Sequence, residues 1–198
     1  MEKTLHRPVG RPREFLEERV LEAAMNAFWD KGYEATSLAQ LCRVTGLNKG
    51  SLYQAFGDKH SLFMRALKHY SEMEYREVMA VAMQHESPLA RIRAIVRKIC
   101  DDACGGRGCM INNSMVELAP HDPEVRAALQ TFGEQRMQGL TGVIGAAQLV
   151  GEIRADLEPR KLARQLMMTL AGAAAMSKGF LSNDETNETL AALIDSWT

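Results

Sequence analysis

No segment of this chain is apolar for long enough to cross a bilayer. The longest apolar run lies between residues 166 and 176 and is interrupted by Thr169 and Gly172, whereas a transmembrane helix needs about 20 apolar residues. No apolar region follows the first residues either, so we expect no secretory signal peptide. These absences argue against membrane and secreted proteins, and they predict a cytoplasmic protein without a membrane partner.

The chain also has few cysteines and no recognisable catalytic motif. Four cysteines without a secretion signal indicate free thiols in a reducing compartment rather than a disulfide scaffold. Cys100, Cys104 and Cys109 lack the tight paired spacing of a structural zinc site, and no histidine lies close to them in sequence. Serine, histidine and aspartate occur in no nucleophile motif. The sequence therefore predicts no enzyme, no metal and no cofactor.

A strong net charge is missing as well. The formal charge is −1 over 198 residues, so no global field indicates a polyanionic partner. The charge is unevenly distributed, however, because the first 13 residues hold four basic side chains and one acidic one: Lys3, Arg7, Arg11, Arg13 and Glu2. A short basic arm ahead of a folded domain is typical of a nucleic-acid contact, although many such arms only aid solubility.

Nearly every periodic segment repeats its apolar residues at helical spacing. Val20, Ala23, Ala24, Ala27 and Phe28 place one apolar stripe along a first helix. Proline, glycine and capping residues divide the rest of the chain into further helical segments. We find no convincing alternating strand pattern and no internal repeat. The sequence therefore predicts an all-α protein of about nine helices.

Two short predicted helices, about 37–45 and 48–56, are separated by Gly46. Leu41 and Leu52 are expected to face the core from the two helices, and Gly46 can adopt the positive φ of a tight turn. Two short helices that follow a longer one across such a turn form a helix-turn-helix unit. The N-terminal end of its second helix is the part that enters the DNA major groove.

The exposed residues of that second helix suit DNA. Asn48 and Lys49 can hydrogen-bond base edges, with lysine suited to guanine and asparagine to adenine. Gly50 permits a close approach of the backbone, and the hydroxyls of Ser51 and Tyr53 suit phosphates. An ordinary surface helix pair has the same spacing, so the pattern alone leaves both interpretations open.

Further DNA contacts are predicted on the flanks of this unit. Thr36 and Ser37 combine hydroxyls with the amides of a helix N-terminus, which favours anions. Lys59 lies in the first turn of the fourth helix, where it can reach a phosphate. Arg11 and Arg13 can enter the adjacent minor groove from the basic arm, or the arm can be purely solubilising.

Three runs, GYEATS from residue 32, GLNKGSLY from residue 46 and FGDK from residue 56, closely resemble the signature of the TetR family of transcriptional repressors. The resemblance covers about residues 14–65 in detail and the whole chain in length and helical layout. It implies a helix-turn-helix DNA-binding domain at 14–60 after an arm at 1–13, and a helical effector-sensing and dimerisation domain at 61–198. It also implies that the DNA contacts proposed above are functional and that Tyr53 binds the DNA backbone.

The resemblance further implies that the last two helices pair with those of a second chain. The predicted interface consists of seven apolar residues on these helices: Leu162, Leu166, Leu170, Ala173, Leu190, Leu193 and Trp197. The alternative is that these residues close the core of their own chain.

The middle helices, about 88–155, are expected to sense an effector. Cys104 and Cys109 flank a glycine-rich loop that can bend enough for a disulfide, whereas Cys100 and Cys104 are held too far apart by helical geometry. Small core-filling side chains are the alternative interpretation of these cysteines. Met110 and Met137 can line a plastic apolar pocket or belong to the core.

Asn113 and Glu117 can orient a ligand or satisfy helix ends. The sequence thus predicts a homodimeric repressor on double-stranded, palindromic operator DNA, released by an unknown small-molecule effector or by thiol modification. The alternatives are an effector-independent architectural or activating DNA-binding protein and a thiol-redox or metal-responsive protein. A fully packed middle core favours the effector-independent alternative, and an open apolar cavity counts against it.

Overall fold

The computed structural model describes residues 11–103 and 106–198, with side chains from residue 17 onward. These residues form nine helices and no strand, which confirms the predicted all-α fold. The helices are α1 (Arg11–Lys31), α2 (Leu38–Thr45), α3 (Lys49–Phe56), α4 (Lys59–Ala82), α5 (Pro88–Ala103), α6 (Met110–Glu117), α7 (Pro123–Leu149), α8 (Pro159–Met176) and α9 (Asn183–Asp195). Within the described ranges no helix is both long and apolar enough to span a membrane.

The chain divides into two compact units, of which the first ends at Tyr70 and the second begins at Ser71. Helix α4 therefore supplies residues to both. Helix α1 begins at Arg11, inside the segment predicted as a basic arm, and the preceding residues lie outside the described part of the chain. The predicted bounds 1–13, 14–60 and 61–198 stay predictions.

Side-chain caps fix the beginnings of the helices that matter for function. The side chain of Ser37 caps α2 by accepting from the amide of Gln40 at 3.2 Å, and Asn48 caps α3 in the same way. Gly46, which ends α2, has φ +71°, a left-handed conformation that favours glycine. These local signals set where α2 ends and α3 begins.

The core of the first unit joins α1 to the helix-turn-helix and to the first half of α4. Leu41 and Leu52 are buried, as the sequence predicts, and Phe63 of α4 is buried beside Phe28 of α1. The rings of Phe28 and Phe63 meet edge to face with their centroids 5.2 Å apart, a favourable geometry for aromatic pairs. Apolar burial of this kind holds α3 in place.

The core of the second unit contains most of the residues of the predicted dimer interface. Its central cluster comes from the second half of α4 and from α5, α7, α8 and α9, and it includes five residues assigned to the interface: Leu162, Leu166, Leu170, Leu190 and Trp197. Ala173 and Leu193 are half-buried against the same cluster. The five clustered side chains are buried within their own chain and offer little surface to a second chain, whereas Ala173 and Leu193 keep part of their surface exposed.

We predict that Leu166→Ala lowers the free energy of unfolding by about 2–5 kcal/mol, because the completely buried side chain leaves a cavity. Leu149→Ala is the matched control, since Leu149 is 90% exposed, and it is expected to change stability by less than about 0.5 kcal/mol. Urea unfolding followed by circular dichroism measures both variants. Equal effects of the two substitutions would contradict this assignment of the core.

Candidate nucleic-acid interface and effector cavity

Helix α3 turns a polar, cationic face to solvent. Lys49, Gly50 and Tyr53 are exposed and Ser51 is half-buried, while Leu52 faces the core. The Lys49 ammonium lies 5.6 Å from the centroid of the Tyr53 ring, so the two predicted contacts share one side of the helix. A Cβ atom at Gly50 would stand 3.3 Å from Oδ1 of Asn48 and would thicken this face.

Asn48 has a structural task that limits what it can offer DNA. Its Oδ1 accepts from the amide of Ser51 at 2.9 Å and thereby caps α3. Recognition of adenine by asparagine uses both the oxygen and the amide nitrogen. In this conformation only the amide N–H groups of Asn48 remain to donate to a base or a phosphate.

Thr36 is a correction to the predicted phosphate contacts. Its side chain is completely buried, and its hydroxyl donates to the carbonyls of Gly32 at 2.6 Å and Ala27 at 3.2 Å. The hydroxyl therefore ties the end of α1 to the start of α2 and is out of reach of DNA. Ser37 is exposed, and its oxygen accepts from Gln40 while its O–H stays available to a phosphate.

The start of α4 carries one basic and one acidic side chain. The ammonium of Lys59 lies 4.3 Å from the centroid of the Tyr33 ring, which steadies the half-buried lysine. Asp58 caps the helix by accepting from the amide of Ser61 at 2.7 Å, and this hydrogen bond lowers the pKa of Asp58. The cap therefore stays ionised at neutral pH and disfavours a phosphate directly at this helix end.

Sequence reasoning missed two exposed polar residues beside this face. Gln54 follows Tyr53 on α3 and is exposed, and Arg43 is exposed near the end of α2. The helical repeat gives a signal for Gln54, because it lies four residues after Gly50. Arg11 and Arg13 have helical backbone in α1, but their side chains lie outside the described part of the structure.

The second unit contains a cavity of about 420 Å³ between α4, α5, α7 and α8, with residues of α6 and of the turn before it also in its wall. Much of the wall is apolar, with Met79, Ile95, Val143 and Met167 among its residues. Gly139 and Gly142 of α7 also line it, and a Cβ atom at either position would meet nothing within 4 Å. The size and the lining are those of a small-molecule site.

Three charged residues contribute to this wall. Glu74 of α4 and Arg136 of α7 form an ion pair, and both side chains are largely shielded from solvent. Arg91, at the start of α5, donates from Nε to the carbonyl of His85 at 2.8 Å. Asn112 and Gln135 add amide groups to the wall.

Of the five predicted sensor residues that the structure describes, Cys109 alone is part of the cavity wall. Met110 and Met137 pack elsewhere in the second unit, so they are core rather than pocket. The amide of Asn113 donates to the carbonyl of Arg107 at 2.9 Å, while its oxygen accepts from Lys178 at 2.5 Å. Glu117 on α6 is half-buried and is not part of the wall.

The thiols are placed differently from one another. Cys109 and Cys100 are buried, Cys42 is half-buried in α2, and Cys104 lies outside the described residues. The predicted pairing of Cys104 with Cys109 stays a prediction. In the described ranges no group of three or more His, Cys, Asp or Glu residues is arranged to hold a metal ion.

A helix-turn-helix with an exposed cationic face, joined to a helical unit with a small-molecule cavity, defines a class of ligand-responsive DNA-binding regulators. Two family models match the chain: residues 20–66 match "Bacterial regulatory proteins, tetR family", and residues 88–193 match "Tetracyclin repressor-like, C-terminal domain". The chain belongs to the TetR family of transcriptional regulators, which confirms the resemblance seen in its sequence.

Curated relatives of similar length agree with this assignment. The uncharacterised HTH-type transcriptional regulator YezE of Bacillus subtilis (strain 168) is 33% identical over 162 residues, covering 80% of this chain and 84% of its own. The HTH-type transcriptional repressor ComR of Escherichia coli (strain K12) is 26% identical over 192 residues, covering 95% and 91% respectively.

Solved structures share the fold across nearly the whole chain. A cysteine mutant of the TetR-family regulator CifR, complexed with a 26 bp double-strand operator DNA, has a TM-score of 0.81 at 25% identity and covers 97% of this chain and 100% of its own. The regulatory protein TetR from Rhodobacter sphaeroides has a TM-score of 0.84 at 23% identity, covering 93% and 100%.

We predict that Thr36→Val lowers the free energy of unfolding of the first unit by about 1–3 kcal/mol, because the buried hydrogen bond to the carbonyl of Ala27 and the partly buried one to the carbonyl of Gly32 are lost. The operator affinity of the folded protein is expected to stay unchanged. Ser37→Ala is the comparison variant: we expect it to weaken DNA binding because an exposed hydroxyl is lost, and to lower stability by about 0.5–2 kcal/mol because the cap of α2 is lost as well. Thermal unfolding and fluorescence anisotropy measure the two properties, and a DNA-binding defect confined to Thr36→Val would contradict the structural role of Thr36.

Proposed function

We propose that this TetR-family regulator is a cytoplasmic, homodimeric repressor that binds a palindromic operator and releases it when a small molecule fills the cavity of its second unit. The observation that supports this proposal most strongly is that one chain combines an exposed, capped recognition helix with an open, mainly apolar cavity. The cavity counts against the alternative of an architectural or activating DNA-binding protein without an effector.

The recognition face assigns different tasks to neighbouring residues. Lys49 has an exposed ammonium at the first position of α3 and is proposed to read base edges in the major groove. Tyr53, Ser37 and Lys59 are proposed to contact phosphates, which position the helix without reading sequence. The absence of a side chain at Gly50 lets the backbone of α3 approach the groove closely.

The proposed dimer uses the outward face of α8 and α9 instead of their leucines. Along α8 the exposed residues follow helical spacing, with Gln165, Met168, Gly172 and Ala175 on one side, and Met168 is 70% exposed. Ala192 is exposed on α9. Small residues let helices from a second chain approach closely, and Met168 supplies apolar area. Two chains would place their recognition helices roughly 34–36 Å apart, one turn of DNA.

Helix α4 is the proposed link between effector and operator. Glu74, Val78 and Met79 of its second half line the cavity, while Leu62 and Phe63 of its first half are buried in the core of the first unit. A ligand that shifts α4 therefore acts on the core that supports α3. Because operator binding needs both recognition helices in register, a coupling free energy of roughly 1–3 kcal/mol is enough to release the DNA.

Thiol modification is the second candidate signal. Cys109 is buried and belongs to the cavity wall, which makes it the described thiol best placed to react with a molecule that enters the cavity. Replacing Cys109 with Ser separates the two signals. Reversible release by a non-reactive ligand is expected to survive this substitution, whereas release by thiol chemistry is expected to be lost.

We predict that Lys49→Ala changes which operator sequences are preferred, whereas Tyr53→Ala weakens binding to all sequences, because base contacts specify and phosphate contacts position. Selection from random DNA measures the first effect, and titrations at several salt concentrations measure the second. Arg97→Ala, an exposed charge of the second unit, is the control for net charge and is expected to bind DNA normally. An unchanged site preference in Lys49→Ala would contradict base reading by Lys49.

We predict that Gly172→Glu converts the dimer to monomers and lowers affinity for a palindromic operator by at least about tenfold, because it places a charged side chain in the proposed interface. The monomer fold is expected to survive, since a Cβ atom at Gly172 meets nothing within 4 Å. Ala127→Glu, on an exposed position of α7, is the control. Light scattering after gel filtration measures the mass, and a dimeric Gly172→Glu protein would refute this interface.

A further inference from the structure

The charges in the cavity wall do not balance. Glu74 contributes one negative charge, and Arg91 and Arg136 contribute two positive charges. Among the described residues, the wall contains no other lysine, arginine, histidine, aspartate or glutamate. A cavity with a net positive wall favours a negatively charged occupant when binding removes water from it.

The pair formed by Glu74 and Arg136 does not require a ligand. Their side chains are 13% and 26% exposed, and each charge is compensated by the other. A ligand charge at this point would have to separate a shielded ion pair, which leaves one of the two partners uncompensated. This pair is therefore part of the wall that the ligand leaves intact.

Arg91 is different. Its Nε donates to the carbonyl of His85, and no carboxylate among the described residues lies within 4 Å of its guanidinium nitrogens. The side chain is half-buried, so solvent still hydrates its charge in the empty cavity. A neutral or cationic occupant would strip that hydration without replacing it, whereas an anionic group would replace it with a charge-assisted hydrogen bond.

The other residues of the wall indicate the size and polarity of the rest of the ligand. Methionine, isoleucine and valine side chains from α4, α5, α7 and α8 surround a volume of about 420 Å³, within the range of roughly 300–1,000 Å³ that small-molecule sites occupy. The side-chain amides of Asn112 and Gln135 in the wall can hydrogen-bond to one or two further polar groups of the ligand. The occupant is thus largely apolar.

We propose that the effector is an organic anion with an apolar body that fills the cavity and one anionic group, such as a carboxylate, that pairs with Arg91. This inference rests on the proposed function, because it takes the cavity to be the effector site. It adds the chemical class of the effector and the residue that selects for it.

Three probes with the same ten-carbon chain test the charge of the occupant: decanoate, 1-decanol and decylamine. Isothermal titration calorimetry on the full-length protein is expected to give decanoate a Kd at least about tenfold lower than either of the others. In Arg91→Gln the preference is expected to fall to within about twofold, while Arg91→Lys keeps it. Arg97→Gln, exposed on the same helix and outside the cavity wall, is expected to match the wild type.

The outcomes separate this inference from the proposed function. Circular dichroism establishes that each variant is folded, and operator binding without any probe tests the repressor role on its own. The anion assignment is overturned if decanol or decylamine binds as tightly as decanoate, if decanoate does not bind at all, or if Arg91→Gln keeps the preference. A wild-type protein that shows the preference but ignores DNA would refute the repressor and leave the anion site standing.

Discussion

The contact between α2 and α3 across the Gly46 turn is the constraint on which the DNA-binding face depends. Leu41 of α2 and Leu52 of α3 are both buried, and the left-handed glycine lets the chain change direction within a few residues. Capping by Asn48 then sets the first residue of α3, so that Lys49 and Tyr53 point to the same side. Without the buried leucines the polar side chains of α3 would have no fixed geometry, because an isolated helix of eight residues is unstable in water.

Much of the fold follows from local signals in the sequence. The helix boundaries can be predicted to within a few residues from local signals. These signals are helical periodicity, prolines at the starts of α5, α7 and α8, and the caps at Ser37 and Asn48. The helix-turn-helix face follows as well, because its contributing residues are close together in the chain. Thr36 could not be assigned from the sequence, since only the structure shows that its hydroxyl donates to the carbonyls of Ala27 and Gly32.

The cavity, and the outward face that we propose for the dimer, do not follow from the sequence for a physical reason. The cavity wall combines Glu74, Arg91 and Arg136 from three helices, and no spacing in the sequence indicates that they meet. The leucines of α8 and α9 were assigned to a second chain because an apolar stripe does not say what covers it. The stripe on α8 and α9 packs mainly into the core of its own chain, and the outward side of α8 that stays exposed includes Gln165, Met168, Gly172 and Ala175.

The two cavity-lining glycines of α7 have a consequence for the evolution of such regulators. A Cβ atom at Gly139 or Gly142 meets nothing within 4 Å, so alanine at either position adds a methyl group to the cavity wall without a clash and improves helix propensity by about 1 kcal/mol. This change to the cavity wall is thus compatible with the fold. A duplicated gene can diverge toward a new inducer by single substitutions in α7 while its copy of the recognition helix stays the same.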